Sequence, residues 1–126
     1  MTKVTGRLIQ VAIVTLLAAL LTATPAHASV WQRSHASAYG SGLFGNRTAC
    51  GQTLRRGTVG VAHKTLKCGT KVRICHRHRC RILRVIDRGP YSGDRVFDLT
   101  LAAVKLFGVP NEDTWGERTV RWRIVR

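Results

Sequence analysis

The sequence predicts a mainly β fold: a small six-stranded barrel carrying one or two short helices. Three observations carry that expectation. Apolar and charged side chains alternate with period two in several short segments. Glycine-rich turn sequences separate the segments. One stretch alone, "LTLAAVKLFG" from Leu99 to Gly108, has helical spacing.

Residues 1–28 read as a secretory signal peptide. Lys3 and Arg7 open it, Leu8 to Leu21 is apolar except for Gln10 and Thr15, and Ala26-His27-Ala28 gives a cleavage pattern. The apolar run is short of the ~20 residues that a membrane span needs, and no cysteine follows it to take a lipid. The expected mature chain starts at Ser29 and has 98 residues. That is enough for one domain with a modest core. It holds no second apolar run of spanning length, and after cleavage of the signal peptide the protein is expected outside the cell or at the wall, as a monomer.

Residues 29–35 read as a short lead-in, and the domain is expected to run from 36 to 126. "YGSGLFGNRTACG", Tyr39 to Gly51, packs glycines and Asn46 into tight turns. "KVRIC", Lys71 to Cys75, alternates charged and apolar residues. "RILRVID", Arg81 to Asp87, is apolar-rich through Ile82, Val85 and Ile86. "TVRWRIVR", Thr119 to Arg126, alternates through Val120, Trp122 and Ile124. All three read as strands. In the helical stretch Leu101, Val104 and Phe107 share a face. Thr100 or Asp98 is the candidate N-cap, and Gly108 ends the helix ahead of Pro110.

The four cysteines, Cys50, Cys68, Cys75 and Cys80, all follow residue 28. An even number in a small secreted chain reads as two disulfides, and four cysteines allow three pairings. Cys75-His-Arg-His-Arg-Cys80 has the form of a short loop clamped at its base, which favours Cys75–Cys80 with Cys50–Cys68. A zinc site using His76 and His78 is the rival, although no second ligand pair is recognisable.

Charge is the strongest compositional signal. With Lys3 and Arg7 set aside, the remaining basic residues exceed the six acidic ones by about 13. Such a surface attracts polyanions over long range. Outside a bacterial cell these are teichoic acids, anionic lipid surfaces and wall carboxylates. Nucleic acid is the other candidate polyanion, but the chain has no base-reading aromatic motif. No phosphate loop or cofactor motif is present, and no metal site is expected. Against this background three of the six carboxylates, Asp87, Asp94 and Asp98, fall within "VIDRGPYSGDRVFDLT".

The motifs "ASAYG", "GNRTACGQTL", "GVAHKTLKCGTKVRI", "RVIDRGPYSGDRVFDLTLAAVKLFG" and "VRWRIV" occur in that order from Ala36 onward. This pattern resembles the rare lipoprotein A (RlpA)-like double-psi β-barrel family, in its small secreted actinobacterial form. It is more distantly similar to expansin and barwin barrels. The resemblance implies a six-stranded double-psi barrel with a groove across it, and it supports the disulfide pairing above. It implies a partner in peptidoglycan or another wall polysaccharide. The reaction it implies is lytic transglycosylation, in which one acid/base group protonates the glycosidic oxygen and then deprotonates the sugar's own 6-hydroxyl.

The residues match that chemistry only in part. Lytic members of the family carry a Glu after "TA-x-G" and an Asp three positions on, where this chain has Gln52 and Arg55. Neither can serve as a general acid. His63, Asp87 and Asp98 do match, and they are the candidate catalytic residues. Tyr39, Gln52, Lys64, Arg88 and Tyr91 are the candidate substrate-binding residues. Simpler roles stand beside these. Asp87 is suited to bond backbone N–H groups in the turn before Gly89, and Asp98 to cap the helix. Asp94 reads as a solvated turn residue, His76 and His78 as exposed loop residues, and Trp115 as either a sugar platform or a packed core residue. Two functions therefore remain open, a wall-cleaving enzyme and a non-catalytic glycan-binding or wall-loosening barrel. A basic polyanion-binding defence protein is a third.

Overall fold

The structure, a computed structural model, describes residues 29–126; the expected signal segment lies outside the described residues. These residues form strands β1 (Gln32–Tyr39), β2 (Val61–Ala62), β3 (Lys71–His76), β4 (Arg79–Asp87), β5 (Arg95–Thr100) and β6 (Arg118–Val125). Helices α1 (Leu101–Lys105) and α2 (Glu112–Trp115) lie between β5 and β6. The strands close into a barrel in the order β1-β5-β2-β4-β3-β6. Two neighbouring pairs, β1 with β5 and β2 with β4, are parallel, and the other four are antiparallel.

The alternation read from the sequence sets the inside of the barrel. Val72 and Ile74 of β3, Leu83 and Val85 of β4, Phe97 and Leu99 of β5, and Val120 and Trp122 of β6 are all buried in one cluster. Each such side chain contributes ~1.5–3 kcal/mol relative to exposure. The Trp122 ring meets Phe97 edge-on with centroids 4.9 Å apart, a favoured aromatic geometry. In β4 the inward residues are Leu83 and Val85, whereas Ile82, expected within the apolar run, is 49% exposed. Ile86 is buried on the opposite face beneath Gly60, where an added Cβ would lie 2.6 Å from Ile86 Cδ1. A side chain at position 60 is therefore excluded.

One expectation is corrected, and one open choice is resolved. The lead-in does not stay outside the barrel: strand β1 begins at Gln32 and pairs with β6 from Gln32↔Trp122 to Ala36↔Arg118. The apolar pattern is weak there because only Ala36 and Ala38 line the interior side, so edge-to-edge pairing decides the strand. The cap of α1 is Thr100, whose hydroxyl accepts from Ala103 N, while Asp98 lies within β5. Thr100 Oγ1 also accepts from Gly60 N at 3.2 Å, which ties the helix start to the segment leading into β2.

All four cysteines are in disulfides, Cys50–Cys68 and Cys75–Cys80, so the zinc reading fails. Helix α2 brings Trp115 into the core, where its indole N–H donates to Ala36 O at 3.0 Å. Trp115 is thus a packing residue and not an exposed platform. Among the described residues, no helix is long and apolar enough to cross a membrane.

Candidate functional site

Strand β2 is only two residues long, yet it fixes the site. Ala62 pairs with Asp87 of β4 on one side and with Asp98 of β5 on the other. Eleven residues apart in sequence, the two aspartates become neighbours across a single alanine. His63 follows immediately, and its backbone N–H donates to Asp87 O at 3.1 Å.

Asp87 is fully engaged inside the protein. Its Oδ1 accepts from Ala49 N and Arg88 N, both at 2.8 Å, and its Oδ2 accepts from Tyr39 O–H at 3.1 Å. Burial, reinforced by the charges of Asp87 and Asp98, holds the Tyr39 phenol well above the ordinary tyrosine range. Tyr39 therefore remains a donor to Asp87.

Asp98 is engaged on one side only. Its Oδ1 accepts from Ser37 O–H of the neighbouring strand, and Arg95 in turn donates to Ser37 Oγ at 2.9 Å. Among the described residues no hydrogen-bond donor reaches Asp98 Oδ2. That oxygen lies 3.9 Å from the space a Cβ on Gly89 would take, and the Tyr91 ring borders the same space at 3.5 Å. Tyr91 itself is 83% exposed. An open carboxylate oxygen, a bare backbone and a solvent-facing aromatic ring thus form one corner.

His63 is held as a neutral ring. Its Nδ1 accepts from Thr65 N at 3.1 Å and Leu66 N at 3.0 Å, so the proton belongs on Nε2. Burial, with the cations Arg88 and Lys64 nearby, holds its pKa below the ordinary histidine range. The ring packs against Phe97 at 5.1 Å. Arg88 turns towards the same loop, where its Nη1 donates to His63 O and Leu66 O at 3.2 and 2.7 Å. Gln52 folds back so that its Oε1 accepts from Thr48 O–H at 3.0 Å, and it is exposed beside the turn that bonds Asp87. Lys64 is exposed on the rim.

The structure therefore brings together Tyr39, Asp87, Asp98, His63, Arg88 and Tyr91. Ser37 and Arg95 also belong to this network; Arg95 is legible in the sequence as a cation close to the aspartates, whereas Ser37 was not singled out. Ser37 sits in the quoted "ASAYG" motif, two residues before Tyr39, and that in-register position was its one signal. Outside the network, Asp94 is solvated but also lies 3.6 Å from His35 Nδ1, which Glu117 meets at 2.8 Å. His76 is half-buried, not an exposed loop residue.

A disulfide-bonded double-psi β-barrel with an acidic corner is the class of protein these features define. The comparisons place it further. Residues 32–121 match the lytic transglycolase family, and the chain belongs to that family. It is 38% identical over 76 residues to the probable endolytic peptidoglycan transglycosylase RlpA of Synechocystis sp., covering 59% of this chain and 24% of that protein. It is 35% identical over 85 residues to the endolytic peptidoglycan transglycosylase RlpA of Neisseria meningitidis, covering 66% of this chain and 36% of the relative. The chain thus spans only about a quarter to a third of the length of these curated relatives. Among solved structures it is similar to the Streptomyces papain inhibitor, with a TM-score of 0.58, 22% identity and coverage of 77% of this chain and 96% of that one. It is likewise similar to the apo expansin of Clavibacter michiganensis, with a TM-score of 0.57, 19% identity and coverage of 77% and 51%. Those two likenesses establish the fold.

Proposed function

We propose that this protein is secreted, is directed to the cell wall, and binds the glycan strands of peptidoglycan at the Tyr91–Gly89–Asp98 corner without cutting them. The observation that carries the reading is the open Asp98 Oδ2 beside the exposed Tyr91 ring, across a glycine. A sugar face stacks on an exposed aromatic ring, and a carboxylate oxygen accepts from sugar hydroxyls. The bare Gly89 backbone lets the strand approach closely. Gln52 and Lys64 stand on the rim as further polar contacts.

The acid inventory supports binding without cutting. Gln52 and Arg55 occupy the positions at which the family resemblance puts its acidic pair. Asp87 is bonded by three donors and has no open oxygen. His63 spends Nδ1 on two backbone donors. A second reading rests on Asp98 alone: one carboxyl suffices for transglycosylation if it begins protonated, and Asp98 has an oxygen free to reach a glycosidic bond.

One experiment separates the two. Denuded peptidoglycan strands are incubated with the disulfide-bonded protein and with Tyr91→Ala and Asp98→Asn. Binding is read by co-sedimentation and products by mass spectrometry. The expected result is retention of strands by the wild type, about tenfold weaker retention by Tyr91→Ala, and no anhydro-muramic ends. Anhydro ends made by the wild type and lost in Asp98→Asn would overturn the binding-only reading in favour of cleavage. No retention and no products would overturn both.

A further inference from the structure

The far end of β4 has the opposite character. Arg79 opens the strand that Asp87 closes, eight residues away, which is ~26 Å along an extended chain. There the β3–β4 hairpin leans on the segment that follows α1. The two form a depression of about 350 Å³ with Arg77, Arg79 and Arg118 around an apolar floor of Phe107 and Val109. A second depression of about 330 Å³ adjoins it, shares His76 and Arg77, and adds Arg33 and Arg121. Neither is lined by a carboxylate.

Three features show that this end is arranged for an anion and not merely solvated. First, the cations have no carboxylate partners. Among the described residues, ion pairs to Asp or Glu come from His35 alone, so no lysine or arginine pairs with a carboxylate. Second, the turn carries Arg77 at φ 53°, a left-handed backbone position that costs a side chain energy and that glycine fills freely. The two-residue hairpin turn calls for a positive φ there, and an arginine in place of glycine is the kind of backbone strain that clusters at ligand clamps. Third, the adjoining sheet places like charges opposite one another, Arg73↔Arg123 between β3 and β6, two residues from the Cys75↔Arg121 pair that lines the second depression. Such pairs oppose folding, and the Nε atoms of Arg73 and Arg123 are buried without a hydrogen-bond partner.

The local chemistry agrees. Arg118 is fixed in place by donating to Trp115 O and Thr114 O at 3.0 Å, with its guanidinium over the Trp115 ring. Arg118 Nη1 lies 3.1 Å from His76 Nε2, so His76 accepts there and stays neutral. Burial, then Arg118 and Arg77, hold the His76 pKa below its ordinary range against an opposing bond to Thr119 O.

We infer that the two adjoining depressions form a second binding site, independent of the glycan corner, that takes a polyol-phosphate polymer, a phosphodiester chain without the bases for which this chain has no reading motif. Successive phosphates lie on either side of Arg77, one against Arg79 and Arg118, the next against Arg33 and Arg121. Guanidinium forks suit phosphate oxygens. A chain of phosphates gains from two neighbouring seats what a single anion cannot.

The test is titration calorimetry with a synthetic glycerol-phosphate oligomer. Inorganic phosphate, hyaluronate and a single-stranded RNA of matched charge are run beside it. The oligomer is expected to bind at least about tenfold more tightly than any of these, with affinity falling as salt rises. Arg77→Ala/Arg79→Ala and Arg33→Ala/Arg121→Ala are each expected to lower its affinity about tenfold and flatten the salt slope. Arg55→Ala/Arg56→Ala, which removes the same charge elsewhere, is expected to change it less than about threefold. Arg77→Gly separates fold from function, because relief of the left-handed position should leave the melting temperature no lower while binding still falls. Equal losses from the Arg55/Arg56 pair would reduce the effect to diffuse charge and overturn the site. Inorganic phosphate binding as tightly as the oligomer would overturn the two-seat arrangement. RNA binding more tightly through the same arginines would overturn the choice of polymer. Asp98→Asn leaves this binding unchanged, so failure here and failure of the glycan reading are distinguishable.

Discussion

The two ends of β4 solve opposite problems with charge. At the Asp87 end, scarce carboxylates are placed where the protein needs acceptors. Asp87 takes three donors and Asp98 one, and the phenol, the serine and the backbone around them are satisfied internally. At the Arg79 end, abundant cations gather without acids, over an apolar floor and on a turn held at an unfavourable φ. Each end has its own disulfide: Cys50–Cys68 beside the aspartates and Cys75–Cys80 beneath the hairpin. The difference teaches that in so basic a chain two of the rare carboxylates are built into the strand network, whereas the cations of the hairpin end stand without carboxylate partners. Buried acceptors repay their desolvation only when fully bonded, whereas exposed arginines cost little until they crowd.

The largest test of that contrast is the disulfides. Their sequence separations are 18 and 5. Loop-closure entropy then gives a loss of about 3 kcal/mol for Cys50→Ala/Cys68→Ala and about 2 kcal/mol for Cys75→Ala/Cys80→Ala. Urea unfolding measures both, and a reversed order would break the claim that the acidic end is the structural one. Next in size, Asp87→Ala strands three donors and is expected to cost about 2–3 kcal/mol. Arg77→Ala should stay within about 0.5 kcal/mol. Similar losses from the two would erase the distinction. The smallest effect is on pH dependence. His63 and His76 are both held below the ordinary histidine pKa, burial being the first cause at each. The unfolded chain therefore takes up protons first as pH falls. Their contribution is complete above about pH 6.5 and is lost as pH drops towards the folded values. Unfolding free energies between pH 8 and 5 should show this decline. His63→Asn keeps an acceptor for Thr65 and Leu66 without the titration, and should flatten part of the slope. A wild-type curve that is level over that range would remove the neutral-ring assignment.

Much of the fold was legible because it is local. Alternation in "KVRIC" and "TVRWRIVR" fixed which side chains of β3 and β6 face inward, since the period of a strand is two. The Cys75-to-Cys80 spacing announced a clamped hairpin, and "LTLAAVKLFG" announced a helix. The reading fell short where the deciding partner lies far away. "QRSH" has no apolar alternation, so it read as a lead-in, yet β5 and β6 supply its edges and make it a strand. Asp98 and Thr100 are equally good caps on paper. The register with Ser37 kept Asp98 in β5 and left the cap to Thr100.

The candidate site divides in the same way. Asp87, Asp98, His63 and Tyr91 were found from motifs, as residue types at fixed places in the chain. Their roles were set by closure of the barrel. Only the pairing of Ala62 with both aspartates makes them neighbours, and only the turn at Ala49 and the phenol of Tyr39 commit Asp87 while Asp98 keeps an open oxygen. The cationic end was visible in the sequence merely as net charge. Arg33, Arg77 and Arg121 come from three separate parts of the chain, and they adjoin because β1 pairs with β6 and β6 with β3. Side-chain chemistry and periodicity belong to the chain itself, so the sequence determined strands β3, β4 and β6, the disulfides, the family and the inventory of acids. Which groups meet, and which of them are left without a partner, depends on long-range register, and the tertiary structure alone decided that.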